Sequence, residues 1–280
     1  MRTLKVLLDG LAFPEGPRWH DGKFFFSDMH AHQVLAVDMA GKSSVVCEVP
    51  ARPSGLGWLP DGRMLVVSMT DRKLMRLDPD GLKTVADVSK LAPFDCNDMV
   101  TDSKGRSYIG NFGFDLHANE KPRTTTLVMV EPNGSARIVA EELMFPNGAV
   151  ITPDARTLIV GESFGNRLTA FDIAGDGSLS NRRVWADLGK HVPDGICLDA
   201  EGAIWVACPT ASEVIRVKQG GEVLETIKVA TDAFACMLGG PDGRTLFVAT
   251  AGASDLEKCR AARDGRIETT QVEVGRAGLP

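Results

Sequence analysis

Six times along the chain a polar or small residue, usually followed by glycine, opens a short apolar run, a tight turn and a second apolar run. The openings are Glu15, Ser54, Asn97, Asn147, Asp194 and Ala235, at intervals of 39 to 50 residues. A unit of that size cannot bury its own apolar face and must stack against its neighbours. A repeat of roughly 40–50 residues built from strands is the period of a four-stranded propeller blade. The second apolar runs, among them Phe24-Phe25-Phe26, Leu65-Val66-Val67, Leu158-Ile159-Val160, Ile204-Trp205-Val206 and Leu246-Phe247-Val248, follow turn residues and are too short for helices. They read as fully buried strands. The turns before three of them are Asp21-Gly22, Asp61-Gly62 and Asp242-Gly243, the dipeptides hairpins favour. Residues 73–78 and 167–172 read as third strands that end in Asp, and residues 81–86 as a more polar fourth strand. No helical period of useful length interrupts this pattern. The expected fold is all-β: a six-bladed β-propeller with a metal site in its central channel, one domain over residues 1–280.

Such a ring must close, because an open sheet edge invites aggregation. Residues 3–8 (TLKVLL) precede the first unit and residues 266–274 (RIETTQVEV) end the last. One terminal segment is therefore expected to complete a blade built mostly from the other end of the chain. The third unit is the longest, and residues 111–123 account for its extra length. They are polar, glycine-containing and aromatic. A loop of about a dozen residues in a compact domain usually carries function, so we expect a flap over the channel mouth. Residues 253–264 are charged and read as a solvated loop.

The 280 residues suffice for a large buried core. A net charge of −6, with no block of Lys and Arg, argues against nucleic acid or an anionic membrane as the main partner. The N-terminal residues lack the apolar region of a secretory signal, and no stretch approaches the ~18 apolar residues of a membrane span. None of the six cysteines forms a CxxC or zinc-finger spacing. They read as reduced, buried small side chains of a cytoplasmic protein.

Equivalent positions of a propeller repeat lie at one level around the axis. Four of the six anchors, Glu15, Asn97, Asn147 and Asp194, carry a carboxylate or amide oxygen. Asn-Gly and Asp-Gly are also common turn dipeptides. Glu15-Gly16 is a poorer turn former, and its agreement in register with the other two favours a shared site. Two carboxylates and two amides suit one hard divalent cation, Ca²⁺ first, with Mg²⁺, Mn²⁺ or Zn²⁺ as alternatives. His30 and His32 lie in a loop where exposure is the default, whereas His117 and His191 lie within reach of a substrate. Ser163 in Gly-Glu-Ser-Phe-Gly is not a nucleophile elbow, and no Ser–His–Asp arrangement is supported.

The stretches FPEGPRW from Phe13, CNDMVTDSKGR from Cys96, FPNGAVITPD from Phe145, GESFGNRLTAFD from Gly161 and PDGICLDAEGAIWVACPTASEVIRV from Pro193 carry a resemblance over nearly the whole chain. The sequence resembles the regucalcin/gluconolactonase family of senescence-marker-protein-like lactonases. That resemblance implies a six-bladed propeller with one divalent cation in its channel. It implies Glu15, Asn147 and Asp194 as ligands, Asn97 beside the metal in contact with metal or substrate, and Asp194 as general base. One position departs: where the sugar-lactone hydrolases place an arginine that binds substrate hydroxyls, this chain has Asp95. An aldonolactone substrate is thereby put in doubt. Asp95, Asn97, Asp98, Phe112, Phe114 and Asp115 are the expected substrate contacts, with Asp98 or Asp95 as alternative bases. The expected activity is metal-dependent hydrolysis of a lactone or related cyclic ester, a small-molecule substrate. Its rivals are organophosphate or fluorophosphate hydrolysis on the same propeller, and a non-catalytic calcium-binding propeller.

Overall fold

The computed structural model describes residues 2–280, and their strands form six antiparallel four-stranded sheets. Five sheets are simple meanders, over residues 14–48, 53–87, 96–143, 146–187 and 196–228. The sixth takes three strands from residues 232–271 and its outermost strand, Lys5–Leu11, from the other end of the chain. Lys5 pairs with Thr269 and Leu11 with Gly265, which is the expected closure. Each innermost strand touches that of the next blade, and the last returns to the first. The repeat therefore becomes a closed ring, the six-bladed β-propeller anticipated from the period.

Burial follows from that ring. The middle strands lie between blades, so Phe24, Phe26, Tyr108, Trp205 and Phe247 are fully buried. Phe24 stacks on Phe247 across the closing interface, ring centroids 4.2 Å apart. The fourth strands, such as Ser43–Glu48 and Gly81–Asp87, face solvent and are correspondingly polar. Asp21 and Gly22 both take positive φ, 45° and 73°, as a two-residue hairpin turn requires.

The glycines that follow four of the anchors are not turn residues. A Cβ on Gly16, Gly55, Gly148 or Gly195 would lie 2.4–2.6 Å from an atom of the next innermost strand. These glycines let the strands crowd towards the axis. In five blades the pairing register also slips beside the anchor, and a bulge of this kind re-aims a side chain. In the fifth, the Asp194 N–H and Gly195 C=O remain bonded to Ala207 before the regular strand Ile196–Leu198 begins.

At the opposite end the C-terminal residues cross the channel. Leu279 exchanges two backbone hydrogen bonds with Ile151, and the Ala277 N–H donates to Leu198 O at 3.0 Å. Ile151 and Leu198 end their strands, so the tail closes the mouth remote from the anchors. Residues 253–264 correct the expected solvated loop: they contain a helix, Leu256–Ala262, whose first turn is capped by the Asp255 carboxylate. Seven residues are too few for a period to show in sequence. All six cysteines are free, and five are buried. Among the described residues no helix is long and apolar enough to cross a membrane.

Candidate active site

Glu15, Asn97, Asn147 and Asp194 share one cavity of about 480 Å³ at the anchor end of the channel. Ser54 and Ala235, the other two anchors, do not line it. The Ser54 carbonyl is taken by the Ser27 hydroxyl at 2.7 Å, and Ala235 fills the space left by Gly195. The oxygen-bearing side chains therefore approach the axis from the first, third, fourth and fifth blades, with Glu15 across the channel from Asn147.

Their hydrogen bonds orient them. Asn97 donates its amide to Pro146 O at 3.4 Å. Asn147 donates to Ser163 Oγ at 3.2 Å, and that hydroxyl donates onward to Pro193 O at 2.7 Å. Asn97 thus donates to the neighbouring blade directly and Asn147 to its own blade's Ser163, which relays to the next, and among the described residues neither Oδ1 has a protein donor. The Gly16 N–H donates to Glu15 Oε2 at 2.9 Å. Burial pushes the Glu15 carboxyl well up, and repulsion from Asp194 adds to it. Burial likewise raises Asp194; hydrogen bonding from Asn147 opposes this, and Asp98 reinforces it. The nearest cation, Arg18, is already committed: it donates to Asp98 Oδ1 at 2.6 Å, to Leu56 O at 2.9 Å and to Pro17 O at 2.7 Å. Buried Glu15 and half-buried Asp194 therefore set two carboxylates beside two free amide oxygens, and among the described residues no side-chain cation forms an ion pair with either.

That donor set fits a hard cation. Among the described residues no three His, Cys, Asp or Glu side chains group as a metal site, so any such ion would rest on two carboxylates and the amide oxygens. The floor holds no nitrogen or sulfur ligand, which favours Ca²⁺, Mg²⁺ or Mn²⁺ over Zn²⁺.

Of the expected substrate contacts, Asn97 and Phe112 line the cavity, while Asp95, Asp98, Phe114 and Asp115 do not. Asp98 follows the anchor, where four other blades have glycine, and its carboxylate is held by Arg18 and by the Met99 N–H at 2.8 Å. That packing removes it both as a substrate contact and as an alternative base. Asp95 is half-buried; its carbonyl accepts the Phe112 N–H at 2.9 Å. Phe114 packs behind the wall against Phe145 and Phe164. Asp115 caps a turn within its loop, accepting the Ala118 N–H at 2.9 Å. The loop does lie at the mouth: Phe112, Leu116 and His117 all line the cavity. His191 does not; its Nε2 meets Glu213 Oε1 at 2.9 Å.

The walls were largely missed in the sequence. Phe13, Phe112, Phe145, Phe164 and Phe234 line the cavity with Met29 and Met69. A signal was present: Phe13, Arg52, Phe145 and Val192 each stand two residues before an anchor, and all four line it. His30 contradicts its expected exposure. It is 3% exposed, stacks on Phe13 at 4.8 Å and donates Nε2–H to Ser254 O at 3.1 Å. Burial lowers its pKa to about 4, so the ring is neutral at ordinary pH, and Nδ1 has no partner.

Comparison with known proteins agrees with this architecture. The family model described as the SMP-30/gluconolactonase/LRE-like region matches residues 13–252. Regucalcin of Xenopus laevis is 27% identical over 264 residues, 90% of this chain and 88% of the relative. A calcium-binding protein, regucalcin, from Agrobacterium tumefaciens superposes with a TM-score of 0.83 at 22% identity, covering 100% of this chain and 97% of the other. A gluconolactonase from Xanthomonas campestris gives a TM-score of 0.76 at 22% identity, covering 99% and 89%. At these identities the two structures establish the shared fold.

Proposed function

The chain belongs to the SMP-30/gluconolactonase/LRE-like family, and from that premise we propose that it is a hydrolase of lactones or related cyclic esters that works with a divalent cation. The observation that carries the reading is the floor: one buried and one half-buried carboxylate with two free amide oxygens at the base of a cavity of about 480 Å³. Glu15, Asn97, Asn147 and Asp194 are the residues that would hold the ion. Ca²⁺ is the first choice, in line with the word calcium-binding in the description of the Agrobacterium tumefaciens relative. When bound, the ion supplies Lewis-acid polarisation of the substrate carbonyl and offsets the charge that develops on its oxygen.

The chain's own groups supply the rest. An Asp194 oxygen takes the proton of a water as the water oxygen bonds to the carbonyl carbon. The ring C–O bond then breaks, its electron pair stays on the ring oxygen, and a proton delivered there gives the hydroxy acid. Asn97 and Asn147 hold the floor in register through their bonds to Pro146 and Ser163. The phenylalanine wall excludes bulk water, which strengthens electrostatic interactions at the floor.

A panel of sugar, aliphatic and aromatic lactones, run beside an organophosphate panel, tests the reading. General-base loss is typically worth 10²–10⁴-fold, so Asp194→Asn should lose about that much kcat with the fold intact. Full activity in Asp194→Ala, or after chelation with metal loss verified by elemental analysis, overturns it. A propeller that only binds calcium would use the same floor; the open cavity above the ligands favours chemistry.

A further inference from the structure

The upper cavity carries a selectivity that the floor does not explain. Five phenylalanines line it, and the polar atoms of the floor lie below them. A substrate with a hydroxyl on every ring carbon would leave several of them unpaired against that wall, which is costly. A planar apolar body suits it better.

One guanidinium interrupts the wall. Arg52 is the only arginine lining the cavity; it is half-buried and, among the described residues, its side chain makes no hydrogen bond and no ion pair. Its backbone is left-handed, with φ at 65°, where a residue other than glycine is strained. Two bonds pin it there: its N–H donates to Val49 O at 3.0 Å, and its C=O accepts the Met69 N–H at 2.8 Å. Phe145, at the equivalent place two residues before its own anchor, is also left-handed, φ 61°. Left-handed backbone at two wall residues in the same register sets the direction in which both side chains leave the chain.

The neighbouring charges do not satisfy Arg52. Asp95 lies near enough for the guanidinium to oppose the rise that burial imposes on its carboxyl, but it is not an ion-pair partner. His30 is held neutral by burial. Asp232 accepts the Ser212 hydroxyl at 2.9 Å, while Lys258, Asp255 and His117 sit exposed on the rim. The guanidinium fork therefore lines the aromatic part of the cavity unpaired, while the cavity's buried anions, Glu15 and Asp194, belong to the floor. A carboxylate matches that fork in shape and charge.

We propose that Arg52 is a specificity-determining residue that pairs with a carboxylate on an aromatic-bodied lactone. The lactone half of that statement rests on the hydrolase reading; the anionic, aromatic half rests on the wall.

The test uses a dihydrocoumarin bearing a ring carboxylate, its methyl ester and glucono-1,5-lactone, with wild type, Arg52→Lys and Arg52→Gln. Wild type should prefer the carboxylate to its ester, a comparison that needs no variant. A charge-assisted hydrogen bond should make Arg52→Gln raise KM for the carboxylate about 10- to 100-fold. kcat should hold, the ester should be unaffected, and Lys should recover part of the loss. Calorimetry with the corresponding lactam carboxylate reads binding without hydrolysis. Arg52-dependent binding of that lactam by a protein that hydrolyses no lactone supports the present proposal and sinks the hydrolase reading. Hydrolysis with equal Arg52→Gln losses on acid and ester, or a preference for glucono-1,5-lactone, overturns the present proposal alone. A protein that neither hydrolyses the lactones nor binds the lactam overturns both.

Discussion

Adding one methyl group at Gly148 tests the packing that positions the site. A Cβ there would lie 2.5 Å from the Ile196 nitrogen, 2.7 Å from the Asp194 oxygen and 2.8 Å from the Gly195 Cα, all backbone atoms of the next blade. The shortest of these falls about 0.9 Å short of the 3.4 Å at which ordinary contact begins. No side chain can swing aside, so the two innermost strands must part. Overpacking of this kind costs about 1–3 kcal/mol. With backbone on every side of the methyl, we expect the upper half of that range. At roughly 2–4 °C per kcal/mol for a chain of this size class, Gly148→Ala should melt about 4–12 °C below wild type. The same displacement separates Asn147 from Asp194, so Ca²⁺ affinity should fall as well. Gly175→Ala is the control, because nothing lies within 4 Å of its Cβ position and its φ is not left-handed; it should be neutral. Thermal melts by circular dichroism and Ca²⁺ titration by calorimetry read both effects. A Gly148→Ala protein that melts within 1 °C of wild type with unchanged affinity would refute the close-approach argument.

Arg18→Met strands Asp98 without its partner beside two other carboxylates, and should cost about 3–5 kcal/mol in urea unfolding. Asp98→Asn leaves the Arg18 charge uncompensated near the floor and should weaken Ca²⁺ binding about tenfold by calorimetry. His30 is held neutral, with its pKa lowered from 6.5 to about 4. The unfolded chain therefore binds its proton first, and stability should decline as pH falls from 6.5 towards 4 by at most about 3 kcal/mol. In His30→Phe that part of the stability–pH curve should be flatter. Deleting residues 2–11 removes the strand that completes the sixth sheet, exposing the Gly265–Gln271 edge; size-exclusion chromatography should show aggregates in place of the wild-type peak.

The fold was legible because a ring repeats its constraints. Every blade must place short apolar runs between neighbours, so the period and the runs at Phe24 or Leu246 survive in a single sequence. The floor was legible for the same reason, since Glu15, Asn97, Asn147 and Asp194 share one register. The wall follows no such rule throughout. Phe13 and Phe145 stand two residues before an anchor, but Phe112, Phe164 and Phe234 reach the cavity from other positions. His30 was misread because its turn looks exposed in sequence, whereas the helix Leu256–Ala262 and its approach cover it from the adjacent sixth blade, through Ser254 and through the Arg260 side chain bonded to His30 O, 224 and 230 residues away in sequence. Asp98 was misread because its partner, Arg18, is 80 residues away.

Charge decides what kind of occupant the floor would take. Asp98 lies close enough to raise both Glu15 and Asp194, Asp194 raises Glu15 as well, and Arg18 is the guanidinium paired beside them. Three carboxylates against one guanidinium leave an excess of two negative charges in a largely water-free place. A buried cluster can relieve that excess by taking up protons, which is the direction in which burial pushes both floor carboxyls. It can also be relieved by one divalent cation, which would match the excess where a monovalent ion would not. Protonation would leave the side chains held only by their separate bonds to Gly16, Pro146 and Ser163, whereas an ion would tie all four to one point. The strands are already crowded towards that point by Gly16, Gly148 and Gly195, whose close contacts with the neighbouring strands admit no side chain.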